Sequence, residues 1–149
     1  MAGVSRLAAA ILLIFSLGFG TAEVGRAPVR DDADTELLAR LVAAEAGDEP
    51  YMAQVSFAAT VVNRTRTCGF PDTIREVILD DGAYPSVGSG ELTSYHASKR
   101  QMRVARRAAQ AALRGVDPTG GALFCADSDD YVRRGVVLMY ECGGLVFGK

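Results

Sequence analysis

The sequence predicts an α+β domain in which four helices are followed by a small antiparallel sheet. Apolar residues recur at helical spacing from residue 34 to residue 113, as in amphipathic helices that share one core. A dense turn at 117–121 (DPTGG) ends this pattern, and short runs typical of strands follow it. The chain has 149 residues, a length that suits one domain.

The first two predicted helices lie on either side of a short break. Asp34 is a good N-cap for the first helix, and Gly47 is a natural stop after it. Pro50 stands where a second helix can begin, and the pattern runs from Tyr51 to about Arg66. The apolar stripe of this second helix consists of Val55, Ala58, Ala59 and Val62.

A third, short helix is predicted with Asp72 as its cap, and the fourth runs from about Ser98 to Leu113. The inward face of the third helix consists of Ile74, Val77 and Ile78. Residues 83–97 lie between these helices, show little periodicity and contain three Gly or Pro residues. We interpret this segment as a long functional loop of the kind that lines a groove.

Three strands are predicted after the turn, at 122–125, 136–140 and 145–147. If residues 123–126 and 138–142 pair in antiparallel fashion, Cys125 and Cys142 face each other and can form a disulfide. Cys68 then remains a free, buried thiol. The alternative is three reduced, buried cysteines.

The N-terminal segment has the pattern of a targeting sequence. Arg6 is followed by an apolar run to about Phe19 and by the small residues Gly20-Thr21-Ala22. The run is shorter than the ~20 residues of a membrane-spanning helix. We predict a signal peptide at 1–22, with an uncleaved N-terminal anchor as the alternative, a linker at 23–33 and one domain at 34–149.

The composition excludes several classes of function. Because residues 1–22 hold one Arg and no acid, the remainder carries 15 basic and 18 acidic residues. This balance lacks the basic excess of a nucleic-acid-binding protein. The chain has one His, His96, and its three cysteines lack paired spacing, so we expect neither a metal site nor a cofactor.

Glu45 is the main candidate for chemistry. It lies on the apolar side of the first predicted helix, four residues after Leu41, and in the last turn. Partial burial and the negative end of the helix dipole both disfavour charge on its carboxylate. Both effects favour the protonated form that a general acid needs. Position alone leaves an exposed glutamate near a frayed helix end as the alternative.

Five segments, in order, resemble motifs of the SleB-type cell wall hydrolases, which include spore cortex-lytic enzymes. The resemblance covers about residues 35–125. The segments are ELLARLVAAEAGDEPY at 36–51, QVSFAATVVNRT at 54–65, GFPDTIREVI at 69–78, Gly82-Ala83-Tyr84, and ALRGVDPTGGALF at 112–124.

The resemblance implies a lysozyme-like fold and cleavage of peptidoglycan between N-acetylmuramic acid and N-acetylglucosamine. It assigns the catalytic acid to Glu45, within the A-E-A motif. It also implies a lytic transglycosylase, in which one carboxylate is acid and then base while the muramoyl C6 hydroxyl closes an anhydro ring. Hydrolysis would require a second carboxylate. The candidates for that second group are Glu49, Asp80, Asp81 and Glu91.

Three further residues are candidates for substrate binding. Glu49 could bind the glycan or support the start of the second helix. Tyr51 and Tyr84 could stack on sugar rings or pack in the core. The fourth helix has a basic side that could attract anionic wall polymers, or could simply be solvated.

The sequence departs from the family after Phe124, where an aromatic run gives way to Cys125-Ala126-Asp127-Ser128, and it has no Trp. This departure keeps open an inactive wall-binding domain of the same fold. A peptidase or amidase using Cys68 and His96 is a third reading, which lacks the partner signatures of such enzymes. We expect an exported monomer in the cell wall or outside the cell, with membrane association only through the N-terminal segment.

Overall fold

The structure is a computed structural model that describes residues 32–94, 96–127 and 137–149. Six helices precede three strands in these ranges. The helices are α1 (Asp32–Ala46), α2 (Tyr51–Arg64), α3 (Ile74–Leu79), α4 (Pro85–Gly88), α5 (Glu91–Ser94) and α6 (Lys99–Leu113). The strands are β1 (Phe124–Asp127), β2 (Leu138–Cys142) and β3 (Leu145–Gly148). The predicted α+β architecture is therefore confirmed.

The predicted signal peptide at 1–22 lies outside the described residues, as do most of the linker and the start of the second predicted strand. In the parts that are described, no helix is both long enough and apolar enough to cross a membrane.

The core forms where α6 packs against α1 and α2. The buried residues on the face of α6 that enters this core are all alanines: Ala105, Ala108, Ala109 and Ala112. Small side chains let helices approach closely, so the larger residues Leu38, Leu41 and Val42 of α1 fill the remaining space. Ser98 and Gln101 form a capping box that fixes the start of α6. This start agrees with the predicted one at about Ser98.

Three details of the helical prediction were wrong. Helix α1 begins at Asp32, which places Asp34 in its first turn. Thr73, not Asp72, caps α3, because its extended backbone lets its hydroxyl accept from the Glu76 N–H at 3.2 Å. The predicted loop at 83–97 contains the one-turn helices α4 and α5, and Pro85 pre-sets the backbone for the first of them.

The sheet has the order β1-β3-β2, so the last strand along the chain is the central one. Its four residues are all buried, and Phe147 is fully so. Both neighbours run antiparallel to it. The predicted pairing of 123–126 with 138–142 is therefore wrong, since β3 lies between these segments.

The same topology contradicts the predicted disulfide. Cys125 lies opposite Phe147 on one side of β3, and Cys142 lies opposite Leu145 on the other. Strands two positions apart are about 10 Å apart, beyond the ~7 Å between Cα atoms that a disulfide can span. All three cysteines are free, and Cys68 is exposed where burial was expected.

We therefore expect three thiols per chain when the unreduced protein is unfolded and its thiols are counted. In the folded protein Cys68 should react with a thiol reagent at mildly alkaline pH, because it is exposed. Cys125 should not react, because burial, reinforced by the nearby Asp127 charge, raises the pKa of its thiol to about 12. A Cys68→Ser variant should lose the fast reaction, and a count of one thiol would contradict the strand order.

Candidate active site

Glu45 lies in the last turn of α1 and is half-buried, as its spacing predicted. Its Oε1 accepts a hydrogen bond of 2.8 Å from the backbone N–H of Ser86, a buried residue at the start of α4. Its Oε2 accepts none from any residue that the structure describes. One carboxylate oxygen is thus held by the backbone, and the other is available to a bound molecule.

Glu45 lines a groove of about 260 Å³. Helix α2, the segment before α4, strand β1 and one residue of β3 form the other walls. The lining includes Phe57, Thr60, Arg64, Tyr84, Phe124, Cys125, Asp127 and Leu145. A larger depression of about 760 Å³ lies beside α3, between Phe70 and Asp81, and does not include Glu45. The smaller groove is therefore the candidate active site.

Arg64 is a residue of this groove that the sequence analysis did not single out. Its Nε donates to the Leu123 carbonyl at 2.8 Å, and its Nη1 donates to the Tyr84 hydroxyl at 3.0 Å. Its Cζ lies 5.3 to 5.6 Å from the ring centres of Phe70, Tyr84 and Phe124. No ion pair with a carboxylate is seen for it within the described ranges. The pair Asn63-Arg64, near the end of the segment at 54–65, is the sequence signal that could have identified Arg64.

Tyr84 lies in the same groove, but its ring is only 6% exposed. The Phe57 ring meets it edge-on with 6.0 Å between ring centres, and the Arg64 Cζ lies 5.3 Å from the Tyr84 ring centre. Burial raises the pKa of the phenol to about 12, partly offset by the Arg64 charge and assisted by the Glu45 charge. The phenol is therefore neutral near pH 7, and its ring is too enclosed to stack on a sugar.

Asp117 fixes the turn that leads into β1. It accepts four hydrogen bonds, from the N–H and hydroxyl of Thr119, the N–H of Gly121 and the Asn63 amide. Asn63 also donates to the Ala122 carbonyl at 3.0 Å. Burial alone would raise the pKa of Asp117, but the hydrogen bonds from Thr119, Asn63 and Gly121 outweigh it and lower the pKa. The turn is thereby attached to α2, and this attachment places β1 along the groove.

Comparison with known proteins decides the family. The sequence model of the family described as Cell Wall Hydrolase matches residues 48–147. The chain belongs to this family. The matched segment includes the groove residues of α2, of the segment before α4 and of the sheet, and it begins three residues after Glu45.

Family members among the curated proteins are similar over the same region. The chain is 39% identical over 98 residues to a spore cortex-lytic enzyme of Halalkalibacterium halodurans, and 34% identical over 96 residues to one of Bacillus cereus. These matches cover 66% and 64% of this chain, but only 28% and 35% of the relatives. The chain thus spans about a third of the curated relatives that it matches.

Two solved catalytic domains confirm the lysozyme-like fold within the family. The catalytic domain of the Bacillus cereus SleB protein has a TM-score of 0.69 and 30% identity, over 80% of this chain and 91% of that chain. The catalytic domain of the germination-specific lytic transglycosylase SleB from Bacillus anthracis has the same TM-score and 28% identity. It covers 80% of this chain and 96% of that one.

The structure brings together two of the four predicted site residues, Glu45 and Tyr84. Tyr51 is outside the groove, exposed, with the Arg107 guanidinium 5.6 Å from its ring centre. Glu49 is also outside it, and its Oε2 accepts from the Gly144 N–H at 2.9 Å. This contact attaches the turn between β2 and β3 to the loop after α1, which gives Glu49 a structural role.

The carboxylates proposed as partners of Glu45 also lie elsewhere. None of Glu49, Asp80, Asp81 and Glu91 lines the groove. Among the described residues, the acid that lines it beside Glu45 is Asp127, an exposed residue at the end of β1 that was not predicted for this role. Its position could not be anticipated, because the place of β1 beside the groove depends on contacts with α2 and β3 that are distant in the sequence.

Proposed function

We propose that this chain cleaves the glycan strands of peptidoglycan between N-acetylmuramic acid and N-acetylglucosamine. The observation that carries the proposal is the arrangement at Glu45: one oxygen is held by the Ser86 N–H and the other is open to the groove. A general acid needs this combination of fixed position and access to a reacting atom. The names of the similar proteins, spore cortex-lytic enzymes and a lytic transglycosylase, support the same substrate class.

In the first step, Glu45 donates its proton to the glycosidic oxygen that leaves C1 of the muramoyl sugar. The bond between C1 and that oxygen breaks, and positive charge develops on the sugar ring. The resulting Glu45 carboxylate is stabilised by the Ser86 N–H at its Oε1, because a hydrogen bond to the charged form favours that form.

In the second step, the same carboxylate takes the proton of the C6 hydroxyl while the C6 oxygen bonds to C1. Glu45 regains its proton, and the product is a 1,6-anhydromuramoyl end. No water is consumed. One carboxylate is enough for both steps, which makes this lytic mechanism compatible with the composition of the groove.

Hydrolysis would require a second carboxylate about 5–5.5 Å or about 6.5–9.5 Å from the first. Asp127 is the described groove acid that could supply it. Asp127 is exposed to solvent at the end of β1, and such a position suits a nucleophile poorly. We therefore favour the lytic mechanism over hydrolysis.

Digestion of purified peptidoglycan should release muropeptides with anhydro ends, detected by mass spectrometry as products lighter by one water than reducing ends. Hydrolysis would instead add one water at each cleaved bond and leave a reducing end there. Release of muropeptides with reducing ends in place of anhydro ends would overturn the lytic mechanism. Binding to peptidoglycan without any product would favour the inactive wall-binding domain instead.

The variant Asp127→Asn tests whether Asp127 acts as a second catalytic carboxylate. If Glu45 acts alone, the variant should keep its rate within about threefold, since removal of a nearby exposed charge has a small effect. If Asp127 acts as a nucleophile or base, the rate should fall by at least about 10²-fold.

A further inference from the structure

Within the described residues, the Tyr84 hydroxyl makes fewer hydrogen bonds than a phenol can form. It accepts one hydrogen bond, from Arg64 Nη1 at 3.0 Å, and it donates none to any part of the chain that the structure describes. A phenol can donate as well as accept, and a buried hydroxyl ordinarily does both where partners exist. Within the described residues the Tyr84 proton therefore has no acceptor, and Tyr84 lines the groove.

Arg64 determines the direction of that proton. The Leu123 carbonyl accepts from Arg64 Nε at 2.8 Å, which fixes the guanidinium plane between β1 and Tyr84. Because Nη1 then occupies a lone pair of the phenol oxygen, the hydroxyl hydrogen must point away from the arginine. The positive charge of Arg64 also polarises the O–H bond, which makes the phenol a stronger donor.

Tyr84 and Glu45 line the same groove. The Glu45 carboxylate is close enough for its charge to raise the pKa of the phenol. A molecule that places an oxygen atom against Glu45 Oε2 therefore lies within the neighbourhood of the Tyr84 proton. Sugars carry hydroxyl and acetamido oxygens that can accept from it.

We infer that the Tyr84 hydroxyl, oriented by Arg64, donates a hydrogen bond to a hydroxyl or acetamido oxygen of the sugar adjacent to the bond that Glu45 cleaves. The inference rests on the proposed function and deepens it. Tyr84 contacts the substrate through its hydroxyl and not through its ring. Arg64 is a positioning residue, which acts on the substrate through Tyr84.

The test measures binding of a tetrasaccharide of alternating N-acetylglucosamine and N-acetylmuramic acid by calorimetry. It uses the Glu45→Gln protein, which should bind without turnover. Adding Tyr84→Phe removes the hydroxyl but keeps the ring against Phe57. Affinity should fall about three- to tenfold, as expected for one neutral hydrogen bond. Tyr140→Phe is the matched control, because Tyr140 lies outside the groove, and it should leave affinity unchanged.

The role of Arg64 is tested by a double-mutant cycle. Arg64→Lys should weaken binding when Tyr84 is present and should add little in the Tyr84→Phe background. If Arg64 had only a structural role, the substitution would weaken binding equally in both backgrounds, and that result would contradict its positioning role.

Equal affinity of the proteins with and without Tyr84→Phe would overturn the inference. A crystal structure of the Glu45→Gln protein with the tetrasaccharide gives an independent readout that does not depend on the folding of a Tyr84 variant. A Tyr84 oxygen more than about 3.5 Å from every sugar oxygen would also overturn it. If the unmodified protein releases no muropeptides, the proposed function itself fails, which is a separate result.

Discussion

Replacing Glu45 by Gln is expected to abolish the release of muropeptides from peptidoglycan while leaving the fold intact. Glutamine has the same size, and its side-chain oxygen can still accept from the Ser86 N–H. It cannot deliver a proton to the leaving oxygen or take one from the C6 hydroxyl. The rate should fall by at least the ~10²–10⁴-fold that general acid–base catalysis supplies.

The matched control is Glu36→Gln, the same change in the same helix. Glu36 lies at the other end of α1, where its carboxylate pairs with Arg40 and Arg106 at the surface. It does not line the groove, so muropeptide release should continue at close to the normal rate. Near-normal turnover by a folded Glu45→Gln protein, with an unchanged melting temperature, would rule out Glu45 as the acid.

Replacing Asp117 by Ala is expected to lower the free energy of unfolding by about 2–4 kcal/mol, because the change leaves several hydrogen-bond donors without an acceptor. The Thr119 and Gly121 N–H groups and the Asn63 amide all lose an acceptor. Urea denaturation followed by circular dichroism would measure the loss. The exposed Asp72, replaced by Asn, is a suitable control and should change the value by less than about 0.5 kcal/mol.

The pH dependence of stability provides a second measurement on Asp117. The folded protein holds the pKa of this carboxyl below its usual range, so the unfolded chain binds the proton more tightly than the folded one. The stabilisation is present above the unfolded pKa of about 3.9 and is lost as the pH falls through the folded pKa. Denaturation curves between neutral and acidic pH should therefore converge for the normal and Asp117→Ala proteins. If the difference in free energy of unfolding between the two proteins did not change with pH, the charge of Asp117 would not contribute to stability.

Local patterns in the sequence predicted the helical part of the fold well. The start of α6 next to Ser98 and its end at Leu113 both follow from spacing within fifteen residues. Glu45 could be placed for the same reason, since the apolar face and the end of α1 are both local features. The predicted caps of α1 and α3 were wrong, because neighbouring residues compete for the same backbone donors.

Long-range pairing could not be predicted in the same way. The order of the sheet depends on which strand is most deeply buried, and all three predicted strands are unbroken apolar runs, so the sequence did not distinguish the central one. The contacts of Arg64 depend on residues 20 and 59 positions away in the sequence. The place of β1, and with it Asp127, depends on pairing with β3, which the assumed hairpin did not include.

The strand order also has a consequence for the time course of folding. Strands β2 and β3 are joined by the two-residue turn Gly143–Gly144, and a hairpin of this kind closes within roughly 1–10 μs. Strand β1 must instead close a much longer loop to reach the other side of β3. Because β1 carries one wall of the groove, the groove is complete only after this longer loop has closed. Helix α1 can thus present Glu45 before there is any cleft in which it could act.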